Sequence, residues 1–216
     1  RAGGISAILL GISYIVITVL YVIGGALPEG AEGWLGHLAA HMMEWWMILA
    51  LSVLTDFLFI PFMWALYNSL KDVNKNAMSA GVCLVCLFVV LDLAVTWPNY
   101  SSLISLSSQY TPALNIDQTA AVIASAGYAV SVLSSALFGV YAILVPSLGI
   151  CIIGLVMLKG NFGRVIAWLG IATGILGIIS VAGPLFIEEL GLTAILTSIF
   201  TTVWVLSAGC KLCITA

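Results

Sequence analysis

The sequence predicts an all-α, polytopic membrane protein, a single transmembrane domain over residues 1–216 with about six transmembrane helices. Hydrophobic residues make up 62% of the chain and charged residues only 7%, and the mean hydropathy is +1.22. So few charges cannot cover a soluble globule of this size. The apolar runs reach about twenty residues, which is the length that a helix needs to cross a hydrocarbon core. The short alternating segments of a β-barrel are absent from the sequence.

Six apolar stretches are long enough to be transmembrane helices. The first is too long for the core of a signal peptide. The second begins at Trp45 and Trp46, which we interpret as an aromatic belt at the headgroup level. The fourth is too long for one straight crossing, so we expect residues 120–127 to lie at the interface, after a cap at Asn115 or Asp117. The predicted spans are residues 5–26, 45–70, 78–97, 120–158, 165–183 and 190–208.

The connections between these spans separate charges by sign. Apart from Asp72, the acidic residues outside the spans lie in the first, third and fifth connections, which contain no Lys or Arg. The positive-inside rule therefore predicts that both termini and the second and fourth connections are cytoplasmic. Six spans place every basic residue on that side. The basic residues are Arg1, Lys71, Lys75, Lys159, Arg164 and Lys211.

Two carboxylates, Asp56 and Asp92, lie inside long apolar segments. They are eighteen residues before and eighteen residues after Asn74, the middle of a short polar turn. An antiparallel hairpin therefore places them at about the same depth. An ionised carboxylate in hydrocarbon costs about 2.5 to 3.5 kcal/mol, so each should face the bundle interior. No Lys or Arg lies at that depth, which leaves a protonated or proton-sharing pair, a bound cation, or hydrogen bonds within the bundle.

Helical spacing predicts polar neighbours for both acids. Ser52 and Tyr67 share a face with Asp56, while Thr96 and Asn99 share a face with Asp92. We interpret these side chains either as a purely structural polar seam or as a proton or cation site. No catalytic residue is assigned.

His37, His41 and Glu44 form a second candidate site. Their spacing of four and then three residues places them on one helical face. Such a face could bind a divalent metal such as zinc or copper, and a plain surface histidine pair is the alternative. The Glu that follows the first His in zincin proteases is absent. The two histidines are the only ones in the chain, so they cannot clamp a haem from opposing helices.

Cysteines and small residues form further patterns. The CxxC pairs at residues 83–86 and 210–213 could form a thiolate metal site, but cysteines in apolar helices are more typical of packing. Small residues recur every three or four positions in two spans, a spacing that lets helices approach closely in lipid. These predicted packing seams are Gly170, Gly174 and Gly177, and Ser131, Ser135 and Gly139.

Two segments carry a resemblance to a known family. They are LTDFLFIP at residues 54–61, continuing as ALYNSLK at 65–71, and GRVIAWLG at 163–170. The chain resembles a widespread prokaryotic family of multi-helix membrane proteins known only as a domain of unknown function. The resemblance implies about six helices in the plasma membrane of a bacterium or archaeon. It implies no activity and no catalytic residues, and it does not include the segment from His37 to Glu44.

The sequence favours a non-enzymatic protein. Nucleophile elbows, P-loops and dinucleotide fingerprints are absent, and so is a basic arm for nucleic acid. The leading hypothesis is an accessory or scaffolding subunit that contacts the bilayer and other membrane proteins or further copies of itself. One alternative is a small proton- or cation-coupled transporter using Asp56 and Asp92. The other is a metal-dependent membrane enzyme using His37, His41 and Glu44.

Overall fold

A computed structural model describes residues 1–110 and 115–215, and almost all of these residues are helical. Two π-helical turns, Asp92–Thr96 and Val140–Leu144, and two 3₁₀ turns, Gly183–Leu185 and Glu188–Leu192, interrupt the α-helices. The α-helices are α1 (Ala2–Gly24), α2 (Gly30–Ala40), α3 (Met42–Leu91), α4 (Trp97–Ser107), α5 (Ile116–Leu133), α6 (Ala136–Gly139), α7 (Val145–Met157), α8 (Arg164–Ala182) and α9 (Thr193–Thr215).

Helix α3 is a hairpin of two antiparallel arms, residues 42–73 and 75–91. The arms meet at Asn74, whose backbone is extended (φ −158°, ψ 94°). The Asn74 side chain accepts a hydrogen bond of 3.1 Å from the Ala77 amide and so caps the second arm. Across the hairpin, the rings of Phe59 and Phe88 pack edge to face with centroids 6.0 Å apart. The hairpin predicted around Asn74 is confirmed.

Six helical segments of the described chain are long and apolar enough to cross a membrane. One of them, Met42–Ser107, is folded in two at Asn74 and supplies two crossings. Another, Ile116–Leu133, packs on α2 and α4. We therefore place the six crossings at α1, the two arms of α3, the segment Ala136–Met157, α8 and α9. The predicted all-α bundle is confirmed.

The predicted fourth span, residues 120–158, is two separate helices. The break falls at Ser134 and Ser135, whose backbones leave the helical conformation (ψ 2° and ψ 151°). The Ser135 hydroxyl then accepts a hydrogen bond from the Phe138 amide and caps α6. The crossing therefore begins at Ala136, later than the predicted interface at residues 120–127. The predicted cap at Asn115 is confirmed, since its side chain accepts from the Gln118 amide at 2.8 Å.

All Lys and Arg side chains belong to one end of the bundle, which we call the basic end. Gly4 packs against Cys213 and Gly160 packs against Leu70, so both termini, the Asn74 turn and the connection after α7 meet there. The opposite end, called the acidic end, is covered by α2, α4 and α5. These three helices form a cap layer, packed around buried Trp45 and Leu35. The prediction that the basic end is cytoplasmic remains based on the positive-inside rule.

One of the two predicted small-residue stripes is a packing seam. Gly174 packs against Cys151, Gly177 against Ser147, and Gly170 against Trp204 and Gly154, where there is no room for a methyl group. The stripe through Ser131 is not a seam. Ser131 is exposed and donates its hydroxyl to Tyr128 of its own helix, because the break at residues 134–135 separates it from the crossing segment.

Candidate functional site

A cavity of about 330 Å³ lies inside the bundle towards the acidic end. Its walls come from α1, both arms of α3, the segment around α7, and α9. Asp56 and Asp92 both line it, from opposite arms of the hairpin. Only 2% of Asp56 and 6% of Asp92 is exposed. The hairpin therefore brings the two carboxylates to one cavity, at matched depth.

Asp56 has a hydrogen-bond partner that the sequence did not reveal. The indole N–H of Trp97 donates to its Oδ2 at 2.6 Å. Trp97 follows the π-helical turn Asp92–Thr96, where the Trp97 amide bonds to the Asp92 carbonyl five residues back. The extra residue in this turn changes the direction in which Trp97 projects. Pro98, which cannot donate to a helical carbonyl, was the signal of an irregular turn at this position.

Asp92 and Thr96 belong to that same π-helical turn. The Thr96 side chain interacts with the Asp92 carboxyl, and its oxygen lies 3.0 Å from the hydroxyl of Tyr141. Tyr141 is in the second π-helical turn, Val140–Leu144. The two irregular turns therefore face each other across the bundle. Irregular turns of this kind occur often at functional sites.

The rest of the cavity wall combines hydroxyl groups and aromatic rings with aliphatic side chains. Among the described residues, no Lys, Arg or His lines it. Any positive charge that balances the two carboxylates would therefore come from a bound proton or ligand. The hydroxyl-bearing lining residues other than tyrosine are Thr18, Ser52, Thr55, Ser147, Thr197, Ser198, Thr201 and Thr202, and the aromatic ones are Tyr14, Tyr21, Phe59, Phe88 and Trp97.

The structure separates the other predicted neighbours of the acids. Ser52 lines the cavity. Asn99 donates its side-chain amide to the carbonyl of Val95 in its own helix at 2.7 Å and is not part of the wall. Tyr67 is eleven residues, or roughly 16 Å, further towards the basic end. There it packs beside Trp64 and the core. A shared helical face therefore did not place Tyr67 at the site, because the cavity is shorter than the helix.

The histidine site is divided between two helices. The rings of His37 and His41 are neighbours, with centroids 5.1 Å apart. However, α2 ends before His41, whose backbone is not helical (φ −123°, ψ 35°), and Glu44 lies in the first turn of α3. In the ranges that the structure describes, no three His, Cys, Asp or Glu side chains are grouped to hold a metal ion. The three-residue metal site at His37, His41 and Glu44 is therefore not assembled.

The two CxxC pairs also do not meet in a metal-binding group of described residues. All five cysteines are free thiols.

Aromatic contacts connect the histidines to the cavity. Trp45 stacks on Tyr100 with centroids 5.5 Å apart and an interplanar angle of 23°. Tyr100 contacts Trp97 at 5.9 Å, and His37 contacts Trp45 at 5.9 Å. The aromatic-belt interpretation is wrong for Trp45, which is 3% exposed inside the cap layer. It fails because α2 folds back over this position.

These features define the class of protein: a multi-pass, α-helical integral membrane protein with an acidic cavity between its helices. The chain belongs to the family described as Domain of unknown function (DUF4386), whose model matches residues 9–212. This match confirms the resemblance stated from the sequence. It includes Asp56, Asp92 and the whole cavity. No curated protein and no solved structure matches the chain.

Proposed function

We propose that the protein is a small transporter that couples the movement of protons or other cations to Asp56 and Asp92. One observation carries the proposal: two carboxylates from opposite arms of a hairpin line one cavity among membrane-crossing helices. Ionisable groups at such positions are costly and commonly mark ion pathways or proton relays. We place this multi-pass protein in the plasma membrane of a bacterium or archaeon.

The electrostatics of the cavity support cation or proton binding. The groups that contact the acids, Trp97 and Thr96, are neutral and bring no compensating charge. Two buried carboxylates without a cationic partner are stabilised when a proton or cation neutralises them. Two acids at one cavity also titrate as a coupled pair, so the arrival of a cation displaces protons. That exchange is the elementary step of proton-coupled transport.

The irregular helices at the cavity support a moving part. The turns Asp92–Thr96 and Val140–Leu144 are joined by the contact between Thr96 and Tyr141. Pro146, two residues after the second turn, lines the cavity and cannot complete the regular helical bonding. Interrupted helices beside the substrate are a recurring feature of secondary transporters. We propose that these turns are where the bundle bends during transport.

Charge movement across liposomes containing the purified protein tests the proposal. Gradients of H⁺, Na⁺ and K⁺ would be applied in turn, and currents recorded on a supported membrane. We expect Asp56→Asn and Asp92→Asn each to lower the current at least tenfold. Asp117→Asn is the control, because Asp117 is exposed at the start of α5 and away from the cavity.

Currents of wild-type size in both cavity variants would overturn the proposal, and so would the absence of any current in the wild-type protein. The elution profile and melting temperature of each variant would show that it is folded. The accessory or scaffolding role remains a prediction from the sequence. Co-purification of a defined membrane partner in mild detergent would support it.

A further inference from the structure

The exposed residues of the cavity wall place its opening at the side of the bundle, between α1 and α9. Near the basic end these helices touch, because Gly4 packs against Cys213 and Gly11 against Leu206. The same antiparallel register places Thr18 of α1 opposite Ser198 of α9. Both residues line the cavity, and both are exposed. We call this opening, between Thr18 and Ser198, the lateral portal.

The lateral portal lies within an apolar surface. Its flanking residues on α1 and α9 include Val19 and Ile199, which are 52% and 51% exposed. Thr18 is six residues from the end of α1 and Ser198 five residues from the start of α9, so the portal is roughly 8 to 9 Å inside the helix ends. At that depth in a membrane-crossing helix the surroundings are acyl chains. A ligand that enters here must keep an apolar part in the lipid.

The polar wall inside the portal consists mainly of hydrogen-bond acceptors. The hydroxyls of Thr18, Ser198 and Thr202 donate to carbonyls four residues back in their own helices, at 2.8, 3.1 and 2.9 Å. Their oxygen lone pairs remain to accept from a ligand. Together with the carboxylates of Asp56 and Asp92 they favour a positively charged donor.

A further feature of the cavity points to a ligand. Aromatic rings of Tyr14, Phe59 and Phe88 line it together with Asp56 and Asp92. Aromatic faces attract organic cations. A site for a bare metal ion or a proton does not require such faces.

We propose that the cavity binds an amphiphilic ammonium compound, which enters through the lateral portal with its ammonium group directed to Asp56 and Asp92 and its alkyl chain left in the lipid. This inference rests on the proposed function, since it uses the same two carboxylates, and it names the class of the transported cation. The volume of about 330 Å³ accepts a head group and part of a chain.

Photolabelling in lipid nanodiscs tests this inference without requiring transport. The probe is decylammonium that carries a diazirine on the chain, and the matched probe is the corresponding decanol. We expect the ammonium probe to label residues 14–21 and 194–202 at least fivefold more than the alcohol. In the double variant Asp56→Asn, Asp92→Asn the difference should disappear. Ser198→Trp should block labelling, whereas Ile199→Trp on the adjoining exposed position should not.

Equal labelling by the two probes would overturn the inference. A competition experiment with ethylammonium distinguishes an amphiphile from a water-soluble amine. If ethylammonium displaces the probe at equal concentration, and does so equally in Ser198→Trp, the cation enters from water and the lateral entry is wrong. Carboxylate-dependent currents without labelling would contradict this inference alone. Labelling without currents would contradict only the proposed transport.

Discussion

Trp97 donates its indole N–H to Oδ2 of Asp56 at 2.6 Å, across 41 positions of sequence. The bond joins the first turn of α4 to the middle of the first arm of α3. It therefore closes the hairpin beside the cavity, at the place where the second arm is π-helical. The hydrogen bond holds the buried carboxylate and the large indole in position, so the geometry of the cavity depends on both side chains.

Replacing Trp97 with Phe should destabilise the protein by about 1 to 3 kcal/mol. The substitution keeps an aromatic ring but leaves the buried Asp56 oxygen without its donor. Unfolding in mixed micelles with increasing denaturing detergent measures the change. Trp46→Phe is the control, because Trp46 is 43% exposed and should change stability by less than about 0.5 kcal/mol. Equal losses in the two variants would show that the bond to Asp56 contributes nothing.

The hairpin itself could be predicted from local sequence. Polar residues around Asn74 break a long apolar run, and the two acids are equally distant from that break. The structure contains both the turn and the matched positions of the acids, because a turn and an antiparallel register are sufficient to place Asp56 and Asp92 at one depth. The cavity could not be predicted from local sequence in the same way. Its walls on α1 and α9 depend on contacts between distant helices, which helical spacing does not specify.

The errors in the predicted positions have identifiable physical causes. The π-helical turn before Trp97 changes which residues face the cavity, so Asn99 was assigned to the site and Trp97 was missed. Trp45 was assigned to the headgroup level because two adjacent Trp at a span start are typical of that position. The cap layer buries it instead, and the same fold-back breaks the helix at His41, so that His37 and Glu44 belong to different helices. Tertiary packing decided the positions in the cap layer.

Replacing Asn74 with Ala should cost about 0.5 to 2 kcal/mol of stability. Its side chain caps the second arm through the Ala77 amide, and loss of such a cap leaves a helical N–H unsatisfied. The unfolding midpoint in the same mixed micelles measures the effect. Asn76→Ala serves as the comparison, since Asn76 is exposed two residues further on and is not the cap. A loss that is as large for Asn76→Ala would assign the effect to general polarity of the turn.

Two glycines, one in the seam between α7 and α8 and one in α5, should respond to substitution in opposite ways. A methyl group at Gly174 would meet Cys151 and the Ser147 carbonyl, which are backbone-anchored atoms that cannot move aside. Gly174→Ala should therefore destabilise by about 1 to 3 kcal/mol through overpacking. Gly127, inside α5, has open space around it, so Gly127→Ala should stabilise by about 0.5 to 1 kcal/mol. Thermal unfolding of both variants measures the difference, and stabilisation of both would contradict a close helix contact at Gly174.

The last prediction concerns His37, which lies in α2 outside the membrane-crossing helices. Burial lowers the pKa of His37 below its ordinary value of 6.5, and the charge of neighbouring His41 lowers it further. We expect an NMR titration with labelled histidine to give a midpoint for His37 below 6.5. His41→Ala should raise that pKa only part of the way, because burial is the larger cause and remains in the variant. A full return to the ordinary value would contradict this order of causes.

The lowered pKa of His37 also determines how the stability of the cap layer depends on pH. In the unfolded chain His37 takes up its proton near pH 6.5, whereas the folded protein holds it neutral to a lower pH. Between the pKa of His37 in the folded protein and its pKa in the unfolded chain, unfolding therefore takes up a proton. As a result, the free energy of unfolding falls as the pH decreases below 6.5. Above pH 6.5 both states are neutral at this residue, so it contributes no slope. His37→Gln should remove the slope, which hydrogen exchange of the α2 amides at pH 5 and pH 7.5 measures, and an unchanged pH dependence in that variant would assign the effect to another group.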